Sequence, residues 1–359
     1  MNSKVKKPDK KITIKDIAQL AGVSIGTVDR VIHNRGEVSD KTREKILKIT
    51  ETLNFQPDVL ASALASKKNL KFAILMPAAD IESSFWKTPI VGIDKAFDEI
   101  GHYGIQLSKY LFSITNKKSF LEEAHKAIDD NPDGIIIAPS LQNEATEIAN
   151  LCSKNNIPFV FFNSTIANLE PVCYVGQDAY QSGQVAAKLM DYGIDASSQI
   201  LVVSILSFLK NNKHILDRKK GFLQYFENKK FRNITIHNLD IDSINVGDVY
   251  EALRNSFNSH PEIKGIFVTN SRVFHIARFL ESEKINGINL IGYDLTSENT
   301  PYLEKQIITF LINQKPVEQI YRAIITLFNK IVLKKEVPTE ILLPIDIVTK
   351  ENLKYYEEY

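Results

Sequence analysis

Cysteine is scarce in this chain. Among 359 residues only Cys152 and Cys173 occur, and they form no Cys-x-x-Cys pair. A disulfide framework is thereby excluded as an organising element, and a reducing interior is the expected setting. Long apolar runs are missing as well. No stretch is long enough to cross a bilayer, and none near the N-terminus reads as a secretory leader. A cytoplasmic protein with no membrane partner is expected, and the glycosylation sequon Asn163-Ser164-Thr165 then carries no meaning. Several enzyme signatures are also absent: Gly-x-Gly-x-x-Gly after the first strand, the phosphate loop ending in Gly-Lys-Ser/Thr, His-Glu-x-x-His and Gly-x-Ser-x-Gly. Asp240-Ile241-Asp242 opens like a calcium loop. Ile244 stands where a ligand is needed, however, and no glycine follows. No metal, cofactor or catalytic activity is expected.

Net charge is nearly absent too, at +1, but it is unevenly spread. Residues 1–70 hold 14 Lys and Arg against 8 Asp and Glu, and the remainder holds 30 against 35. A basic end on an acidic body implies that the N-terminal part meets a polyanion and the rest does not. Lys4, Lys6, Lys7, Lys10 and Lys11 make residues 1–11 a basic flexible arm, either a solvated tail or a source of weak, salt-dependent phosphate contacts. The length suggests two or three domains.

What is present is concentrated in residues 12–64. Three short helices are legible there, each opened by a hydroxyl residue. Thr13 has Asp16 three residues on, a capping box, and Ser24 and Ser39 stand at the N-caps of the next two. Gly22 sits where the first helix must stop and turn into the second. Ile17, Ala18 and Ala21, then Val28, Val31 and Ile32, then Ile46, Ile49 and Leu53, give each helix one small apolar face. This is a helix-turn-helix with a supporting helix, a device that fits the DNA major groove.

The segment resembles the DNA-binding headpiece of the LacI/GalR family of bacterial transcription regulators. The likeness runs through the turn, the recognition helix, Val38-Ser39-Asp40-Lys41-Thr42-Arg43, and Asn54-Phe55-Gln56-Pro57. It implies a helix-turn-helix domain over 12–57 and a hinge helix and linker over 58–70. By position, Ser24, Thr27 and Thr42 are hydroxyls suited to phosphates, with Thr13 at the first helix start and His33 and Asn34 at the recognition-helix end. Arg30 is the base-reading candidate, able to pair with guanine by two hydrogen bonds. Ile25 and Gly26 occupy positions that usually read bases yet offer no side-chain hydrogen bond; Ile25 can meet a thymine methyl. Asp29 adds a negative charge, which either orients Arg30 or lies on the helix surface. Leu64 matches the leucine that wedges a minor-groove base step in the family. Two headpieces are needed for useful specificity, so a homodimer on a pseudo-palindromic double-stranded operator is expected.

From residue 72 the pattern becomes short apolar runs alternating with helical stretches. Strands are expected at Phe72–Pro77, Ile105–Phe112, Gly134–Pro139, Phe159–Asn163, Val172–Val175, Ile200–Ile205, Ile234–Leu239, Gly265–Asn270 and Leu290–Asp294. Such alternation means doubly wound parallel α/β sheets covered on both faces. Nine strands exceed one sheet of usual size, which divides the region into two lobes near Glu170–Pro171. Polar residues close several of these greasy strands, and ligands in such folds bind beyond the carboxyl ends of strands.

This second region, 71–359, resembles the type 1 periplasmic-binding-protein fold that serves LacI/GalR regulators as an effector-binding and dimerising core. The likeness rests on Phe85-Trp86 with Gly92-Ile93, Tyr174-Val175-Gly176-Gln177-Asp178 with Gly183, Arg218 before Gly221-Phe222, Gly292-Tyr293-Asp294-Leu295-Thr296, and Gln314-Lys315-Pro316. It implies an N-lobe of about 71–170 and 297–333 and a C-lobe of about 172–295 and 334–350. It also implies effector contacts from Arg218, Asn270 and Asp294, with Asn163, Ser140 and the pair Phe85/Trp86 from the N-lobe or its rim. Asp294 can accept paired hydroxyl hydrogens, Arg218 can donate a fork, and an aromatic face can cover a sugar ring, which suits a small carbohydrate. Arg218 read as a surface charge and Trp86 read as plain core are the bland alternatives. The functional expectation is a dimeric repressor governed by a carbohydrate. The alternatives are a nucleobase, phosphorylated-metabolite or protein effector, and, in another class, a solute-binding protein or enzyme on the same fold.

Overall fold

The computed structural model describes residues 12–32, 35–53, 55, 69–79, 84–205, 212–229 and 233–356. The chain divides into two compact units, Met1–Ser66 and Lys67–Tyr359. The basic arm, His33, Asn34, Leu64 and the expected hinge helix lie outside the described residues.

The first unit contains α1 (Ile14–Ala21), α2 (Ile25–Ile32) and α3 (Asp40–Thr52). Its start is fixed by the capping box. The Asp16 amide donates to Thr13 Oγ1 at 3.3 Å, and the Thr13 amide donates to Asp16 Oδ2 at 2.8 Å. Gly22 ends α1 in the left-handed region at φ +66, which a side chain would resist. Ser24 caps α2 by accepting from the Thr27 amide at 3.1 Å. Ser39 departs from its expected role: its side chain makes no cap bond to the α3 backbone and instead meets the Thr42 hydroxyl at 2.8 Å. Ile17, Ala18, Ala21, Val28, Val31 and Ile46 form the small core.

The second unit holds two sheets. In the N-lobe the order is β11-β5-β4-β3-β1-β2, all parallel. These strands are β1 (Leu70–Pro77), β2 (Ile105–Phe112), β3 (Gly134–Ile137), β4 (Phe159–Phe162), β5 (Cys173–Gly176) and β11 (Glu340–Leu342). The C-lobe order is β12-β10-β9-β8-β6-β7, with β12 alone antiparallel. It comprises β6 (Gln199–Ile205), β7 (Thr235–Ile241), β8 (Ile263–Val268), β9 (Asn289–Tyr293), β10 (Phe310–Asn313) and β12 (Asp346–Val348).

The helices of this unit run in chain order. The first three are α4 (Thr88–Ile100), α5 (Lys117–Asp129) and α6 (Gln142–Lys154). They are followed by α7 (Ala179–Tyr192), α8 (Lys213–Glu227) and α9 (Val246–Ser259), then α10 (Val273–Ser282), α11 (Thr300–Glu304) and α12 (Pro316–Ile331). Helices cover both faces of each sheet, so the inner strands β1, β3, β4, β5, β6, β8 and β9 are almost wholly buried, while the edge strands β2 and β7 are largely exposed or half-buried. Along β1, Phe72, Ile74 and Met76 join one core with Ile93 and Ile320, while Ala73 and Leu75 join another with Phe120 and Ile148.

The lobes divide elsewhere than the sequence suggests. The strand at Cys173–Gly176 pairs with β4 on one side and β11 on the other, so the chain stays in the N-lobe past Glu170–Pro171. Residues 297–313 belong to the C-lobe, because β10 extends that sheet beside β9. The return to the N-lobe is α12, packed on α4 and on β3 to β5, followed by β11. The crossings therefore lie between β5 and α7, between β10 and α12, and between β11 and β12. The C-lobe therefore resumes after β11, at residues 342–346, and not at about residue 334.

Candidate functional site

The first unit presents an exposed helix face of mixed character. On α2 the buried residues are Val28 and Val31, and the opposite side exposes Ile25, Gly26 and Arg30. Ile25 is 52% exposed, a large apolar side chain held in water on a helix of otherwise modest size. Ser24 and Thr27 join their hydroxyls at 2.9 Å at the helix start, and Thr13 is likewise exposed. Gly36 holds φ +67, a backbone conformation that L side chains rarely adopt, and lies in ordinary van der Waals range of the Arg30 stem. Thr42 is half-buried at the start of α3.

In the second unit the polar residues gather at the carboxyl ends of both sheets, around the crossings. Arg218 is the largest nearly inaccessible side chain, 2% exposed on α8. It is placed by a tight helix crossing. At Gly183 on α7 a Cβ would overlap the Arg218 carbonyl oxygen, and at Gly221 a Cβ would overlap the Tyr180 carbonyl oxygen. The guanidinium stacks on Tyr293 with 3.8 Å to the ring centroid. Its Nη1 donates to the Thr269 carbonyl at 3.0 Å, its Nη2 donates to Gln314 Oε1, and its Nε has no partner among the described residues.

Gln314 is the centre of this arrangement. Its Nε2 donates to Asp294 Oδ2 at 2.6 Å, its amide N–H donates to Asp294 Oδ1 at 3.3 Å, and Asn163 Nδ2 donates to its Oε1 at 3.3 Å. One side chain on a lobe crossing thus joins Asn163 of the N-lobe to Arg218 and Asp294 of the C-lobe. Burial pushes the Asp294 carboxyl up to about 6, against the pull of Arg218 and the bonds from Gln314.

A second inter-lobe chain runs through Asn212 at the start of α8. Ser164 Oγ donates to Asn212 Oδ1 at 2.7 Å, Asn212 Nδ2 donates to the Ser140 carbonyl at 3.4 Å, and His214 Nδ1 lies 2.9 Å from Asn212 Oδ1. Burial, and then the Arg218 charge, hold the His214 imidazole well below its usual range. A third contact closes the rim. Ser84 Oγ donates to Glu298 Oε2 at 2.7 Å, and Ser297 Oγ donates to Ser84 Oγ at 2.9 Å.

The structure thus joins Asn163, Arg218 and Asp294 through Gln314, while Ser140 enters the Asn212 chain by its backbone carbonyl. Asn270 is beside them, but its amide is spent on backbone, donating to the Ile205 carbonyl at 2.6 Å and accepting from the Arg272 amide at 3.2 Å. Trp86 lies in the core cluster, its ring meeting Phe85 at 4.9 Å and Phe162 at 6.1 Å, both edge-on, the packing that the plain-core alternative describes. Phe85 is buried in the same cluster and borders a cavity of about 720 Å³ that lies beside the two later crossings, with Lys315, Tyr321, Pro344 and Tyr356 on its walls. Among the described residues, no three His, Cys, Asp or Glu side chains cluster so as to hold a metal ion. No described helix is long and apolar enough to cross a membrane.

Comparison with known proteins agrees with both parts. Residues 13–58 match the family of bacterial regulatory proteins of the lacI type, and residues 72–335 match the periplasmic binding protein domain. The chain belongs, over most of its length, to the periplasmic binding protein domain family, and carries a lacI-type regulatory domain ahead of it. It is 32% identical over 219 residues to the HTH-type transcriptional regulator DegA of Bacillus subtilis (strain 168), covering 60% of this chain and 61% of DegA. The chain therefore spans about three fifths of that relative's length. It is 26% identical over 291 residues to the ribose operon repressor of the same organism, covering 79% of this chain and 81% of the repressor. A crystal structure of a candidate LacI transcriptional regulator from Bacteroides fragilis superposes with a TM-score of 0.72 at 27% identity, covering 81% of this chain and 100% of that one.

Gln314, Asn212 and His214 belong to this arrangement but were not among the expected effector contacts, although Gln314 is one of the residues on which the likeness rests. Two signals point to them. Gln314 directly follows β10, so the rule that polar residues close strands would select it once that short strand is recognised. His214 precedes Arg218 by four residues, one turn away on the same helix face.

Proposed function

We propose that this protein is a DNA-binding transcriptional repressor whose grip on its operator is set by a small carbohydrate held between the two lobes of its core. The observation that carries the reading is Gln314, a residue on a lobe crossing whose amide meets both lobes at once. A ligand that competes for those bonds changes how the lobes close, and lobe closure is a recognised switching motion. The ribose operon repressor among its relatives supports a sugar as that ligand. Arg30 and Ile25 read bases, Gly26 admits close approach, Ser24, Thr27 and Thr42 hold phosphates, and Thr13 positions the first helix. Arg218, Asp294, Asn163, Ser140 and Asn270 frame the effector, with Gln314, Asn212 and His214 added to them. The active form is a homodimer on a pseudo-palindromic site, acting in the cytoplasm without catalysis.

The test is a fluorescence-anisotropy titration of fragments from the organism's own promoters at low salt, with and without a panel of monosaccharides. The expected result is nanomolar-range retention of at least one fragment and its release or tightening by one sugar. Failure to retain any fragment would overturn the DNA-binding part, and retention unaffected by every sugar would overturn the effector part.

A further inference from the structure

We infer that the cavity beside the two later crossings is a second ligand site, suited to a planar aromatic compound with a hydrogen-bond donor on its edge. It is a different volume from the cleft, and it stands or falls independently of the sugar reading.

The crossing after β10 separates the two volumes. Successive side chains of a strand point to opposite sides. Gln314 turns its amide to Asn163, Arg218 and Asp294, whereas its neighbours Asn313 and Lys315 line the cavity. None of Arg218, Asn163 and Asn270 is on the described walls, and Asp294 borders both volumes. At about 720 Å³ the cavity is of the size that holds small organic ligands.

Its walls offer aromatic rings from both lobes. Tyr321 comes from α12 of the N-lobe, and Tyr355 and Tyr356 come from the turn after β12 in the C-lobe. Tyr355 is 71% exposed, so its ring is open to a ligand. Rings presented from two sides favour a flat π system, because aromatic pairs are worth more than the area they bury.

Acceptors for an edge donor stand on the same walls. Glu99 accepts from the Tyr321 hydroxyl, Glu318 accepts from Arg322 Nε, and Asp346 pairs with Lys315. A carboxylate accepts several hydrogen bonds, so each keeps capacity for a phenolic hydroxyl or a ring N–H.

An occupant would brace the hinge. The crossings on the cavity wall are already tied together, with Lys315 Nζ 2.9 Å from Asp346 Oδ2. From the first crossing, Gln177 Nε2 donates to the Asn313 carbonyl at 2.9 Å and to the Pro344 carbonyl at 2.8 Å. Lys315 holds φ 57, a left-handed conformation that is unfavourable for lysine. A compound that touches both Tyr321 and Tyr355 contacts both lobes and resists a change in the angle between them.

Isothermal titration of the full chain with 2-naphthol and with its saturated counterpart, decahydro-2-naphthol, tests the site. The expected result is binding of 2-naphthol, with the saturated alcohol weaker by roughly five-fold or more. No binding of 2-naphthol, or equal binding of the two alcohols, overturns the inference. Tyr355→Ala is the second arm, a change at an exposed ring that spares the core. It should weaken 2-naphthol by about ten-fold. Parent-like affinity in this variant would put the compound elsewhere, in the cleft or on the surface, and overturns the assignment. Amide exchange at residues 313–315 should slow by roughly three-fold or more on saturation with 2-naphthol. Unchanged exchange there, with binding intact, overturns the bracing role.

Discussion

Asn163 and Asp294 adopt the same left-handed backbone conformation, φ 68 and φ 69, at matching points of the two lobes. Asn163 follows β4 and donates its amide to the Val175 carbonyl of β5; Asp294 follows β9 and donates its amide to the Ile312 carbonyl of β10, each at 3.0 Å. The turn costs an L-residue roughly 1 kcal/mol, least for Asn and Asp, whose short polar chains tolerate it. What it supplies here is convergence. Both side chains meet the amide of Gln314, one from each lobe.

Asp294→Asn separates stability from binding. Burial raises the folded pKa from 3.8 to about 6, so the folded protein holds a proton that the unfolded chain has released between those values. The group's stabilising contribution is full below about pH 4 and is lost as pH rises through 6. Above that pH the ionised carboxyl costs on the order of 3 kcal/mol relative to the neutral acid. Asparagine imitates the neutral acid. Urea unfolding at pH 8 should therefore show the variant more stable than the parent by roughly 1–3 kcal/mol, while calorimetry shows weakened effector binding. A variant less stable at pH 8 would mean that the attraction of Arg218 outweighs burial.

His275 should titrate with the opposite sign. It lies on α10, 1% exposed, and burial followed by the charges of Arg272 and Arg278 lowers its pKa from 6.5 to about 4. Its contribution to stability is present above pH 6.5 and is lost as pH falls through 4. Between pH 6 and 4 it therefore opposes Asp294, and the parent protein should show a shallow stability profile there. His275→Leu should make stability rise as pH falls through this window, and Asp294→Asn should make it fall. The span in each case is on the order of 2–3 kcal/mol, read from chemical denaturation at half-unit pH steps. Parallel profiles for the two variants would refute the assignment.

Asn163 and Asp294 were legible in the sequence because each ends an apolar run, and a strand that closes on a polar residue is a local signal. Sheet membership is not local. Cys173–Gly176 reads as a strand, but only its bonds to Phe159–Phe162 and to Glu340–Leu342, far along the chain, assign it to the N-lobe. The strand at Phe310–Asn313 is four residues between helices, and Glu340–Leu342 and Asp346–Val348 are three each, too short for periodicity to register. With β10 unseen, Gln314 is placed inside an N-lobe segment of 297–333 as a landmark of the likeness, not as a residue closing a strand, and the crossings are misplaced. Trp86 illustrates a different limit. An aromatic residue carries the same letter whether it faces a ligand or, as here, Phe162.

The capping box at Thr13 gives a headpiece prediction independent of the cleft. Thr13→Ala removes the hydroxyl that accepts from the Asp16 amide and also breaks its bond to Asp16 Oδ2 at 2.7 Å. The cost should be about 1 kcal/mol, borne by a three-helix unit with a core of small residues. Hydrogen exchange of α1 amides should rise by roughly five-fold, while those of the core sheets stay unchanged. Thr13→Ser should restore most of the protection, because it keeps the accepting oxygen. Equal protection in all three proteins would show that the cap is dispensable.

Arg30 and Thr42 should fail differently on DNA, and the difference tests their assigned roles. Arg30, like Ile25 and Gly26, is exposed on α2, as the proposed reading of a base edge by its guanidinium requires. Thr42 is half-buried with its hydroxyl against Ser39, a posture suited to a phosphate oxygen. Arg30→Ala should cost about 1–3 kcal/mol on the preferred operator and flatten discrimination at one guanine position. Thr42→Val should weaken all fragments alike, since phosphate contacts carry no sequence information. Anisotropy titrations against an operator and its single-base variants separate the two patterns. If Arg30→Ala instead lowers affinity for every fragment by one common factor, the residue is a backbone contact, and base reading by this helix must rest on Ile25 alone.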